Sequence, residues 1–186
     1  MKTKAILRNQ LDLFKRDKKA VLIEDAVSLL FQQYPQNTKL EEILLKVSVL
    51  NQLYSTNIFA VDIVAEHILK LNVDDKLKSG KLNLPELIAR VDVSGKQKNF
   101  YSFATKYCSW HNQGAFPIYD SYVHKALNHF KKRDKFHVYK NDDLKTYSCF
   151  VETIKMFQKH YDLETFSIKE IDKALWYFSK RELLSM

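Results

Sequence analysis

The stretch Asn99 to Leu127, NFYSFATKYCSWHNQGAFPIYDSYVHKAL, carries two apolar runs at helical spacing with a short break between them. Phe100, Phe103, Ala104 and Tyr107 recur at intervals that place side chains on one face of an α-helix. Val123, Ala126, Leu127 and Phe130 do the same beyond the break. Asn112 and Gly114 mark a connection, and Pro117-Ile118-Tyr119 then leads into Asp120, an acid at the start of the second helix. The stretch predicts helix, connection, helix.

The same period recurs on both sides of it. Ile58, Val61, Ala65 and Ile68 form one stripe, and Tyr147, Val151, Ile154 and Phe157 form another. Helices are also expected from Ile23 to Tyr34 and from Leu84 to Val91, while Asn72 to Asn83 reads as a connection. Two helix starts carry a capping-box pattern: Thr38 with Glu41, and Ser167 with Glu170. Near the C-terminus, Phe178 belongs in the core on the stripe of Ile171, and Trp176 packs against a neighbouring helix or the edge of a cleft. Only 3 Gly and 3 Pro occur in 186 residues, too few for a fold built on tight turns and hairpins. An all-α fold follows, an irregular multi-helix bundle of about eight or nine helices in one domain over residues 1–186, with little room for a sheet.

With 46% hydrophobic and 28% charged residues, the composition is that of a folded globular chain and excludes a disordered one. No apolar run is long enough to span a membrane, and the apolar patch near the N-terminus is broken by Arg8, Asn9, Gln10 and Asp12, unlike a signal peptide. A cytoplasmic protein is expected. Cys108 and Cys149 are too few for a disulfide framework, and His124 and His129 stand on different helix faces, so no metal and no cofactor are expected. The net charge of +8 suits a polyanion, because phosphates attract lysine and arginine and release counterions on contact.

An apolar-apolar-Asp-Ser segment that opens a helix, Ile118-Tyr119-Asp120-Ser121, resembles the catalytic segment of the helix-hairpin-helix DNA glycosylases. Upstream, Val49 to Thr56 is similar to the polar segment that this superfamily places near DNA, and the resemblance covers Val49 to Phe130. It implies a glycosylase-like fold, DNA as partner, duplex before single strand, and Asp120 as the carboxylate that stabilises a cationic sugar or positions water. An Asp at that place also serves as an N-cap, and one residue can do both. Asn51 and Gln52 would then meet a base or face solvent. Tyr101, Tyr107, Trp110 and Phe116 could stack on an extruded base, with Tyr107 also on the core stripe of Phe100 and Phe103; Trp110 and Phe116, near the connection, are the better candidates for a base pocket, together with Tyr119.

Two departures narrow the implied activity. Where the superfamily carries a Leu-Pro-Gly-x-Gly-like hairpin, this chain reads Lys96-Gln97-Lys98-Asn99-Phe100, so Ser94-Gly95 would make the turn and Lys96 and Lys98 would supply charge to phosphate. Eighteen residues before Asp120, where members that also cleave the backbone hold a nucleophilic lysine, stands Ser102; Lys106 follows one helical turn later. The expected activity is therefore excision without a lyase step. Lys131, Lys132, Arg133 and Lys135, interleaved with Phe130 and Phe136, suit either a phosphate-tracking surface or a solvated loop. The alternatives are a non-catalytic nucleic-acid-binding module of the same fold and a module that meets an acidic protein.

Overall fold

The computed structural model describes residues 2–183. Among them ten α-helices run in the order α1 (Lys2–Arg16), α2 (Lys18–Gln33), α3 (Leu40–Tyr54), α4 (Val61–Lys70), α5 (Asp74–Lys78), α6 (Leu84–Ala89), α7 (Tyr101–His111), α8 (Ser121–Asp134), α9 (Tyr147–His160) and α10 (Ile168–Phe178). The protein is predominantly all-α, as the periodicity predicts. The helices that no expected stripe covers are α1, whose buried stripe of Leu7 and Leu11 is short, and α5, about a turn and a half within the predicted connection.

The little room expected for a sheet is taken by one short hairpin. Strands β1 (Arg90–Val93) and β2 (Lys96–Asn99) pair antiparallel between α6 and α7, with Val91 opposite Lys98 and Val93 opposite Lys96. Val91, assigned by period to the preceding helix, thus lies in a strand. Ser94 and Gly95 both take positive φ, 54° and 76°, the backbone of a two-residue turn that matches strand twist. Asp92 Oδ1 accepts from the Gly95 N–H at 2.8 Å and holds that turn. A β-hairpin therefore stands where the resemblance implies a glycine-rich loop.

Contacts divide the chain into two compact units, one made of Leu22–Phe116 and the other of the stretch before Leu22 with the stretch from Pro117 on. In the first, α3 packs on α4 and α6 on α7 around Ile43, Val47, Leu50, Ile68, Ile88 and Phe103, all at most 1% exposed. In the second, α10 packs on α1 and α8, and Phe130 sits among Phe157, Tyr161 and Phe178 with ring centroids 4.9 to 5.8 Å apart. Phe178 is in the core as expected, and Trp176 meets Tyr122 of α8 edge to face at 5.8 Å.

One predicted cap forms and the other does not. Glu170 N–H donates to Ser167 Oγ at 3.2 Å while Ser167 N–H donates to Glu170 Oε2 at 2.9 Å, a complete capping box. At the other site Thr38 caps nothing and α3 begins after Lys39, which has no side-chain cap. Tertiary bonds override the local pattern there: Lys46 Nζ, fully buried, donates to Tyr34 O at 3.0 Å, Gln36 O at 2.7 Å and Asn37 Oδ1 at 2.7 Å. Asn37 in turn donates through its backbone and side chain to Asp74, and Tyr107 donates its hydroxyl to Asn37 Oδ1. Those bonds set where the chain enters α3.

Candidate functional site: the Asp120 segment and the basic surfaces

Asp120 has extended backbone and caps α8: its Oδ1 accepts from Tyr122 N–H at 3.0 Å and Val123 N–H at 2.9 Å. The residues just before it are pinned from two sides. Ile118 N–H donates to the buried carboxylate Oδ2 of Asp172 at 2.8 Å, and Tyr147 donates its buried hydroxyl to Pro117 O at 2.9 Å. Tyr119 sets its ring perpendicular to Phe150 at 5.4 Å, and its hydroxyl meets His124 Nδ1 at 3.1 Å. Burial pushes the Tyr119 phenol up and the His124 imidazole down, which keeps both neutral near neutral pH. The half-buried Asp120 is thus carried on a backbone held by side chains from α9 and α10.

Sequence reasoning does not single out Asp172 or Tyr147. A weak signal exists for the first, an acid directly after Ile171 at the head of the apolar run ALWYF; in the structure Asp172 is buried at 4% exposure. Tyr147 reads as one more member of its helix's apolar stripe, and nothing local marks its hydroxyl.

In the other unit, Lys106 is buried and donates to Ser102 Oγ at 2.7 Å, one turn back on α7, with its ammonium 5.9 Å from the Tyr54 ring centroid. The spacing that places these two residues on one face thus joins them directly. Asn51 builds a loop: Oδ1 accepts from Thr56 Oγ1 and Ile58 N–H, each at 2.9 Å, and Nδ2 donates to Ile58 O at 2.8 Å. That loop takes positive φ at Ser55 and Asn57 and exposes Phe59 almost completely, at 98%. Gln52 is exposed on α3. Phe116 is fully buried core, which corrects its expected place on a pocket wall, because the apolar segment from Ala115 to Ile118 turns inward before α8. Trp110 does line a cavity, as does His111.

The candidate cations differ in their freedom. Lys96 and Lys98 are exposed on β2. Lys132 and Lys135 are exposed at the end of α8. Lys131 donates to Tyr139 O and its ammonium sits 4.2 Å from the Tyr139 ring centroid. Arg133 forks onto Asp134 through Nε at 2.8 and 2.9 Å, bonds Thr3 Oγ1 and covers the Phe130 ring at 4.9 Å. These two tie down local structure and are not free solvated charges. Asp134 is held down at about 2, first by the hydrogen bond from Arg133 and then by the Tyr161 hydroxyl.

Among the described residues no group of three or more His, Cys, Asp or Glu is placed to hold a metal ion. No described helix is long and apolar enough to cross a membrane.

Residues 6–115 match the family described as HI_0787_N, N-terminal domain. An uncharacterized protein of Haemophilus influenzae (strain ATCC 51907 / DSM 11121 / KW20 / Rd) is 43% identical over 175 residues, covering 94% of this chain and 83% of its own length. No solved structure matches the chain.

Proposed function

The chain belongs to the HI_0787_N family, and we propose that it binds duplex DNA and excises a damaged base through Asp120, without a lyase step. The observation that carries this reading is the double clamp on Pro117 and Ile118. A buried carboxylate and a buried tyrosine hydroxyl are both spent on the first residue of the Asp120 segment, Ile118, and on Pro117 just before it. Loss of a base builds positive charge on the sugar, and a carboxylate fixed beforehand stabilises that charge without reorganising at the moment of reaction. Water then replaces the base at the sugar carbon. Ser102 has no amine for a Schiff base, and Lys106 donates to it from a buried position, which supports hydrolysis alone. The net charge of +8 and the exposed Lys96, Lys98, Lys132 and Lys135 support a phosphate partner.

A second reading, a nucleic-acid-binding module without catalysis, is favoured by the two N–H groups that converge on Asp120 Oδ1, since the cap by itself gives the acid a role. Asp120→Asn separates the two. It keeps an oxygen for the cap and loses the charge, so excision from a panel of damaged and mismatched duplexes, read after alkali treatment, should fall by at least about a hundredfold with the melting temperature unchanged. Asp120→Ala should also lose about 0.5–2 kcal/mol of stability. Excision by Asp120→Asn at the wild-type rate would remove Asp120 from the chemistry. Binding without excision by the wild type would favour the module, and no binding even at low salt would end the nucleic-acid reading.

A further inference from the structure

Asp120 shares the head of α8 with two further polar side chains, Tyr119 and His124, all three half-buried within the unit that contains α8 to α10. His124 follows Asp120 by one helical turn, and its backbone N–H donates to Asp120 O at 2.9 Å, so the two side chains rise from one face of the helix. Tyr119 joins the group from the chain before the helix. Its hydroxyl meets His124 Nδ1 at 3.1 Å, with the two rings nearly perpendicular and their centroids 5.8 Å apart. Burial raises the Tyr119 phenol; Lys145 opposes the rise and the charge of Asp120 adds to it, so phenol and carboxylate are neighbours in space. The 3-10 helix Asn141–Lys145 supplies the other charges that reach the imidazole, Asp142 and Lys145, which bond each other at 2.8 Å. From α9 the group meets only an apolar ring, Phe150 against Tyr119. Burial and Lys145 lower His124, with Asp142 opposing, and the ring is neutral near neutral pH. Its Nε2 is neither bonded nor sealed from solvent among the described residues.

We propose that His124 is the general base of base excision: its Nε2 takes the proton of the attacking water, Tyr119 positions the ring through Nδ1, and Asp120 stabilises the cationic sugar. The assignment rests on the excision reading and adds to it the residue that handles the proton. In the step, the C1′–N bond breaks and its electron pair leaves with the base nitrogen. Water oxygen bonds to C1′, its proton passes to Nε2, and the released base takes up a proton from solvent. The imidazolium then returns its proton to solvent. Asp120 is the poorer acceptor, because its Oδ1 already takes two N–H bonds and an imidazole is ordinarily a stronger base than a carboxylate. Nδ1–H donating to the Tyr119 oxygen fixes the tautomer in which Nε2 carries the lone pair.

The test follows single-turnover excision from the duplex panel between about pH 5.5 and about pH 8, with circular-dichroism melting of every protein at the same pH. The wild-type rate should fall about tenfold per pH unit below the His124 midpoint, because an imidazolium cannot accept the proton. His124→Gln should slow excision about a hundredfold above that midpoint and abolish the acid limb, with duplex affinity unchanged. Tyr119→Phe should slow it about tenfold and keep the limb, as expected when one positioning hydrogen bond is lost. His124→Ala should regain activity when imidazole is added to the buffer, a response that a packing role does not give. Excision by His124→Gln at the wild-type rate, an acid limb that persists in both His124 variants, or a folded His124→Ala that imidazole does not rescue would overturn the proposal. Asp120→Asn in the same assay separates the two levels: if it is inactive while the His124 variants excise normally, the excision reading stands and this assignment falls. No excision by the wild type ends both.

Discussion

His111 makes the stability of this protein depend on acid in a way that one substitution isolates. Its imidazole is lowered from 6.5 to about 3, chiefly by burial and further by Lys46. Between those values the unfolded chain binds a proton that the folded protein does not, so stability falls as pH falls. At 1.36 kcal/mol per pH unit, His111 alone removes about 2 kcal/mol by pH 5 and about 3 kcal/mol by pH 4, relative to neutral pH. His124 and His129 are also lowered by burial and add to the loss. The comparison therefore has to be made against His111→Phe, which keeps an aromatic ring beside Phe31 and Tyr107 and removes the titration. Urea unfolding followed by circular dichroism at pH 7 and pH 5 gives two differences, one for each protein. The wild type should lose about 2 kcal/mol more than the variant. If the two losses agree within about 0.5 kcal/mol, the spread expected of independent sites, His111 is not held neutral in the fold and the reasoning fails.

Asn51→Ala removes all three side-chain bonds that hold the 56–58 loop and should cost about 1–3 kcal/mol, with faster amide exchange at Thr56 and Ile58; unchanged exchange there would show that the loop does not depend on Asn51. Changing Lys132 and Lys135 together to Gln should leave stability within about 0.5 kcal/mol while reducing the salt dependence of the proposed DNA binding, whereas Arg133→Ala should cost about 1 kcal/mol through lost contacts with Asp134, Thr3 and Phe130. Equal stability losses for the two changes, measured by urea unfolding, would contradict the division between free and structural cations.

What could be read from the chain alone is what depends on near neighbours in sequence. The three-and-four spacing of Phe103, Ala104 and Tyr107 places a buried face on α7, and that of Val123, Ala126 and Leu127 places one on α8, wherever the helices pack. The Ser167–Glu170 box closes within one turn, and Asp120 reaches two N–H groups of its own helix, so both are legible as caps. The Thr38 cap lost to the bonds that Asn37 beside it makes with Lys46 and Asp74, partners 9 and 37 residues from Asn37, which no local pattern announces. Val91 left its helix because a pairing with Lys98 across the Ser94-Gly95 turn satisfies its backbone equally well. The clamp on Pro117 and Ile118, the neutral His111 and the cavity beside it come from side chains that meet only after folding. Burial and hydrogen-bond partners set their chemistry, and both are properties of the packed chain.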